Sequence, residues 1–218
     1  MLLQNNATVL FQGDSITDCY RTSFFQDGRF FGEEDLGVGY PKTVSSVLAA
    51  KYPSLNIRYY NRAVSGNRSI DLVNRWKEDC LDLHPDVLVI MVGINDVWRK
   101  FDSADPTSTE QFIKNYRYLL ESAKAQNENL KIVVVEPAYC NVPCEHTKEF
   151  RAELLDKIEA LRQLVKELRC WYIPLDGLIA AKSMRDDFTK WIFDDGVHLT
   201  SMGHGLLARE LIRLFEEN

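Results

Sequence analysis

Behind Pro85, the stretch 86–93, DVLVIMVG, is apolar without a break once past Asp86. A strand with one wet face alternates apolar and polar side chains, whereas an unbroken run suits a strand covered on both faces. Something apolar must therefore lie above and below this strand. The rest of the chain supplies it. Four further strand candidates, at 8–13 (TVLFQG), 57–64 (IRYYNRAV), 131–137 (KIVVVEP) and 171–176 (WYIPLD), alternate with helical segments at 43–52, 69–81, 107–126, 148–169 and 201–216. The clearest helix is 148–169, where Phe150, Leu154, Leu155, Ile158, Leu161, Val165 and Leu168 recur at the 3.6-residue period. In the last helix Ser201 can cap, with Leu206, Leu207, Leu211 and Leu214 facing inward. Five strands alternating with helices predict an α/β fold, a five-stranded mostly parallel sheet with helices on both faces and right-handed crossovers. No repeat or linker interrupts it, so 1–218 reads as one domain.

Composition narrows the function. The 218 residues carry a net charge of -6 and no basic run interleaved with aromatics, which argues against a nucleic-acid partner. No apolar stretch approaches the ~20 residues that span a bilayer, so membrane insertion is not expected. The start, MLLQNNATVLFQGDS, lacks the basic residues and cleavage site of a secretory leader. Five cysteines, an odd number in a chain this long, do not form a disulfide framework. The expectation is a cytoplasmic protein.

Open α/β sheets bind ligands beyond the carboxyl ends of their strands. Ser15 follows the first strand, Gly66 the second, and Asn95 and Asp96 the third; Asp195 and His198 follow the fifth, just before the last helix. Acyl transfer needs a nucleophile, a base within hydrogen-bond reach and a group orienting that base. Ser15 can supply the hydroxyl, His198 can take its proton, and Asp195 can reach round a turn to the imidazole's far side. Oxyanion donors are available from the N–H groups of Ser15 and Gly66 and the Asn95 amide. Alternative signatures are missing: the chain has no G-x-S-x-G elbow, G-x-G-x-x-G, P-loop, H-E-x-x-H or C-x-x-C.

These four segments, GDSIT, NRAVSGN, GIND and DGVH, resemble in order the four blocks of the SGNH hydrolases, the serine esterases and lipases also called the GDSL family. They spread from residue 8 to about 205. Ile16 stands where the family's nickname has leucine, a conservative apolar exchange. The resemblance implies a flavodoxin-like three-layer α/β/α sandwich with an open groove. It also implies Ser15 as nucleophile, Asp195 and His198 as acid and base, and Ser15, Gly66 and Asn95 as the oxyanion hole. Esterase, deacetylase, lysophospholipase or thioesterase activity without a cofactor follows from it. A small ester, favoured as an acetylated carbohydrate, is the expected substrate; a lysophospholipase or thioesterase is the alternative. A catalytically silent binding module is the alternative from another class.

Each residue also has a plainer role. Ser15 can merely cap the first helix, and Gly66 can merely permit a turn. Asp14 is expected to support the nucleophile loop through hydrogen bonds, and Asp96 to fix its loop through Arg62 or Arg68. His204 reads as a packed or surface histidine. Cys140, Cys144 and His146 lack the spacing of a zinc knuckle, so no metal is expected. Their loop, with Tyr139, reads as one wall of a substrate groove, and Trp98 and Arg99 as another. Residues 19–38 read as a long loop whose Phe24, Phe25, Phe30 and Phe31 pack over the sheet edge or form a rim or subunit contact.

Overall fold

The computed structural model describes residues 1–21, 35–143 and 145–218; Phe24, Phe25, Phe30, Phe31 and Cys144 lie outside them. Five strands, β1 (Thr8–Gly13), β2 (Arg58–Asn61), β3 (Val87–Met91), β4 (Lys131–Val135) and β5 (Trp171–Ile173), form one sheet in the order β2-β1-β3-β4-β5. Every neighbouring pair is parallel. The helices are α1 (Ser15–Asp18), α2 (Tyr40–Lys51), α3 (Ser69–Asp79), α4 (Ile94–Asp102), α5 (Thr109–Gln126), α6 (Thr147–Glu167), α7 (Leu175–Ser183) and α8 (Ser201–Glu217).

The unbroken apolar strands are explained by two hydrophobic clusters. Successive side chains leave a strand on opposite faces. Val9, Phe11, Val87, Val89, Val133 and Val135 meet Tyr40, Val44 and Leu48 of α2 and Leu207, Leu211 and Phe215 of α8. On the other face Leu10, Leu88, Ile90, Ile132 and Val134 meet Leu72 and Trp76 of α3 and Phe112, Tyr116 and Leu119 of α5. The result is a three-layer α/β/α sandwich. From β1 the chain first moves outward to β2, then crosses back to β3 on the other side. That reversal opens a crevice beyond the carboxyl ends of β1 and β3.

Some boundaries differ from the sequence reading, each for a local reason. β2 stops at Asn61, because Ala63 N–H turns away to Asn61 Oδ1. Pro174 has no N–H to donate, so β5 ends at Ile173 and α7 begins, where a longer strand was expected. Pro41 sits in the first turn of α2 and starts it at Tyr40. Thr200, not Ser201, caps α8, its hydroxyl accepting the Gly203 N–H at 3.2 Å. On α6, Leu155 is exposed and Lys157 is buried, because the helix rotates the Phe150–Leu154–Ile158–Leu161 stripe inward. The short α4 is not among the expected helices, although Ile94, Val97, Trp98 and Phe101 carry the helical period.

Candidate active site

The site is assembled from loops at the crevice. β1 ends at Gly13, and Asp14 caps α1 by accepting the Ile16 N–H at 3.1 Å, which places Ser15 on the first turn. On the other side of the crevice a tight turn precedes α8. Phe193 N–H donates to His198 O at 2.8 Å and Gly196 N–H to Phe193 O at 2.9 Å. Gly196 has φ +78, and a Cβ there would lie 2.5 Å from Cys140 O, so only glycine fits. Within this turn Asp195 Oδ1 accepts the N–H groups of Val197 (2.8 Å) and His198 (2.9 Å).

These constraints bring the three residues into a line. His198 Nδ1 lies 2.6 Å from Asp195 Oδ2, and His198 Nε2 lies 2.9 Å from Ser15 Oγ. A carboxylate on Nδ1 fixes the proton there and leaves Nε2 to accept from the serine hydroxyl. The Asp195 hydrogen bond, opposed by burial, raises the His198 pKa above its usual 6.5, and the charges of Asp195 and Asp14 add to it. Burial pushes Asp195 up, but the bonds from His198 and the two backbone N–H groups outweigh it and hold the carboxyl below its ordinary value. Asp14, fully buried, is pushed up to about 7 by desolvation, against the Ile16 N–H and the His198 charge.

The remaining predicted residues fall around this line. Gly66 has φ +82, and nothing lies within 4 Å of the position a Cβ would take. Among the described residues the N–H groups of Ser15 and Gly66 have no hydrogen-bond partner. Asn95 Nδ2 donates to Asn67 O at 3.1 Å, which joins the start of α4 to the loop after β2. Asp96 is buried and accepts from Ser69 N–H at 2.8 Å and Ser69 Oγ at 2.6 Å; the expected arginine contacts are replaced by this serine. Asn115 Nδ2 completes the group by donating to Ser69 Oγ at 2.9 Å. Trp98 packs obliquely on His198, ring centroids 6.3 Å apart, while Arg99 pairs with Asp102 at 2.8 Å and lines neither cleft described below. Cys140 is a free thiol. Among the described residues no group of three or more His, Cys, Asp or Glu could hold a metal ion, and no helix is long and apolar enough to cross a membrane.

Two cavities adjoin the Ser15–His198–Asp195 line, and Asp195 borders both. One, of about 340 Å³, is lined by Ser15, Cys19, Ser65, Phe193, His198 and His204 among others. The other, of about 490 Å³, runs from Asp195 over Trp98, Phe101, Tyr139 and Phe150. Sequence reasoning missed three contacts here. Ser65 Oγ donates to Asp18 Oδ2 at 2.8 Å. His204 Nδ1 accepts the Tyr40 N–H at 3.2 Å, so the neutral ring carries its proton on Nε2, 3.5 Å from Cys19 Sγ. Burial pushes His204 down to about 4, which keeps it uncharged. The third is the Ser69–Asp96–Asn115 group. None has a local signal, because each joins residues distant in sequence.

A parallel sheet whose crevice holds a serine, histidine and aspartate in hydrogen-bonded line defines a serine-dependent ester hydrolase. The chain belongs to the GDSL-like lipase/acylhydrolase family, whose model matches residues 11–206. It is 31% identical to an acetylxylan esterase of Geobacillus stearothermophilus over 217 residues, 98% of this chain and 95% of that one. A crystal structure of that esterase superposes with a TM-score of 0.85 at 30% identity, covering 99% of this chain and 96% of the other. A GDSL-like lipase structure from Parabacteroides merdae gives 0.89 at 29% identity, covering 99% and 98%. Solved catalytic mutants of the Geobacillus esterase replace an aspartate, a histidine and a serine.

Proposed function

We propose that this protein removes O-acetyl groups from a carbohydrate through an acyl-serine intermediate on Ser15. The observation that carries the reading is the line Ser15 Oγ–His198 Nε2–Asp195, at 2.9 and 2.6 Å. The likeness to an acetylxylan esterase over nearly the whole of both chains supports the substrate class. Ser15 Oγ attacks the ester carbonyl while its proton passes to His198 Nε2. Asp195 holds the imidazolium that forms. The tetrahedral oxyanion is received by the N–H groups of Ser15 and Gly66 and by the Asn95 amide, donors worth about 10²–10³ in kcat each when lost. His198 then gives its proton to the leaving sugar oxygen. Water activated by His198 releases acetate and restores Ser15.

Asp14 and Asp96 act as supports, the first by fixing the Ser15 turn and the second by fixing the loop that carries Gly66. Trp98 and Tyr139 belong to the substrate groove; the Arg99–Asp102 pair argues against including Arg99. The 2.9 Å contact between Ser15 and His198 weighs against a silent binding module. Two apolar clusters on opposite faces of one sheet support reading 1–218 as a single domain. The free thiols of Cys19, Cys80, Cys140 and Cys170 support a cytoplasmic setting.

The test compares wild type with Ser15→Ala on acetylated xylan, by acetate release, and on p-nitrophenyl acetate, butyrate and octanoate. Acetate release and a preference for the acetyl ester are expected of the wild type, with near-complete loss in the variant. A preference for octanoate with no acetate from xylan would favour the lysophospholipase or thioesterase instead.

A further inference from the structure

The cavity on the Asp195 side has a floor and a rim of opposite character. Tyr139 and Phe150, buried with ring centroids 4.5 Å apart, form the floor. Trp98 meets Phe150 edge-on at 6.2 Å, and Phe101 stacks on it at 5.7 Å. The rim carries Glu145, His146, Asp194 and Asp195, all exposed. At about 490 Å³ the cleft falls within the range of small-molecule sites, and aromatic walls with a few polar groups at the edge are their usual composition.

The cleft is also built rigidly and joined to the chemistry. Arg151 donates to Tyr139 O and to both oxygens of Asp176, at 2.8 and 2.9 Å, and Asp176 accepts the Tyr139 N–H at 3.1 Å. Cys140 N–H donates to Gly196 O at 2.8 Å, tying the cleft floor to the turn that holds Asp195. Trp98 lies three residues after Asn95 on α4, hence on the same side of that helix. The cleft therefore adjoins both the turn that holds Asp195 and the helix that carries Asn95, with Trp98 between it and the His198 ring.

We propose that this cleft is a subsite for a neutral pyranose ring next to the acetylated one in an oligosaccharide. The inference rests on the deacetylase reading above and adds where the sugar chain runs. Phe101 also stacks on His146 at 5.3 Å, so a pyranose has apolar faces for Trp98 and for the Phe101–His146 stack, and hydroxyls at its edge for Glu145 and Asp194. An acyl chain would strip water from those rim groups without pairing them. A phosphate head group would meet the like charges of Glu145 and Asp194.

The experiment measures kcat/KM for acetylated xylo-oligosaccharides and for p-nitrophenyl acetate, taking the ratio of the two. Phe101 is the residue to change, since Trp98 touches His198. In Phe101→Ala the ratio is expected to fall at least about tenfold, and in Phe101→Trp to be largely retained. Phe101→Leu gives the same direction should the alanine variant fail to fold. A ratio unchanged in a folded variant overturns the proposal, as does a selective loss on p-nitrophenyl octanoate, which would make the cleft an acyl site. Calorimetry with unacetylated xylotetraose on Ser15→Ala separates this inference from the deacetylase reading. If wild type cleaves p-nitrophenyl acetate but no sugar ester, that reading fails. Xylotetraose binding that Phe101→Ala abolishes would still support the subsite, and absence of binding would overturn it.

Discussion

At the scale of single residues, His198 converts the geometry into a pH dependence. Only the neutral imidazole can take the Ser15 proton, and Asp195 is the main cause of its raised pKa. Activity therefore falls as pH drops through a value above 6.5, and the acid limb of the kcat/KM profile reports it. Asp195→Asn removes that cause and leaves burial, which acts the other way. The limb should move to lower pH while kcat falls by about 10⁴. Asp14→Asn should move the limb the same way by less, because Asp14 is the smallest of the contributors. A limb that stays in place in Asp195→Asn would detach the aspartate from the base. Gly196→Ala tests the turn itself: a Cβ 2.5 Å from Cys140 O must push the two loops apart. A loss of activity and a lower Tm are expected.

At the scale of elements, the segments carrying Gly66 and Asn95, two of the three proposed oxyanion donors, are braced against each other. Gly66 precedes α3 and Asn95 begins α4; Ser69, at the head of α3, is held by Asp96 beside Asn95. Ser69→Ala leaves the backbone bond to Asp96 but removes the 2.6 Å hydroxyl bond and deprives Asn115 Nδ2 of its acceptor, while Asn115 Oδ1 keeps the Gln111 bond. A cost of about 1–3 kcal/mol in stability is expected by denaturant titration. A fall in kcat exceeding any rise in KM should accompany it, because oxyanion donors act in the transition state. This brace was invisible in the sequence, where Asp96 suggested an arginine partner. A buried serine hydroxyl satisfies a carboxylate without any charge pattern to announce it. Helix α4 was legible from Ile94, Val97, Trp98 and Phe101, yet polar Asn95, Asp96 and Arg99 among them made the stretch resemble a loop. Helix α6 was read correctly as an element but with Leu155 inward. Apolarity alone cannot choose between adjacent positions of a helix.

At the scale of the molecule, the alternation of apolar runs and amphipathic segments sufficed for the sheet and its layers. Each apolar run had to be covered on both faces. The places of Ser15, Gly66 and Asn95 at strand ends followed from the same rule, and the His198 segment from its turn before α8. Trp98 and Tyr139, expected as walls of a groove, do line one cleft, but its junction with Phe150 and Asp195 was not legible because the four come from separate segments. A buried carboxyl beneath the crevice has a consequence for the whole fold. Asp14 sits at about 7 when folded and near 3.8 when unfolded. The folded state thus holds its proton more tightly, and stability drawn from that proton is lost as pH rises from about 4 to about 7. Tm of Asp14→Asn should gain on wild type across that window and keep its advantage above it. A constant difference between the two would place the Asp14 pKa near its ordinary value.

The most direct test of the account is to label the wild type during turnover with a serine-directed fluorophosphonate and map the adduct by mass spectrometry, alongside acetate release from acetylated xylan. One adduct is expected, on the peptide bearing Ser15, with loss of acetate release in step with labelling. An adduct on another residue, or undiminished acetate release from a fully Ser15-labelled protein, would contradict it.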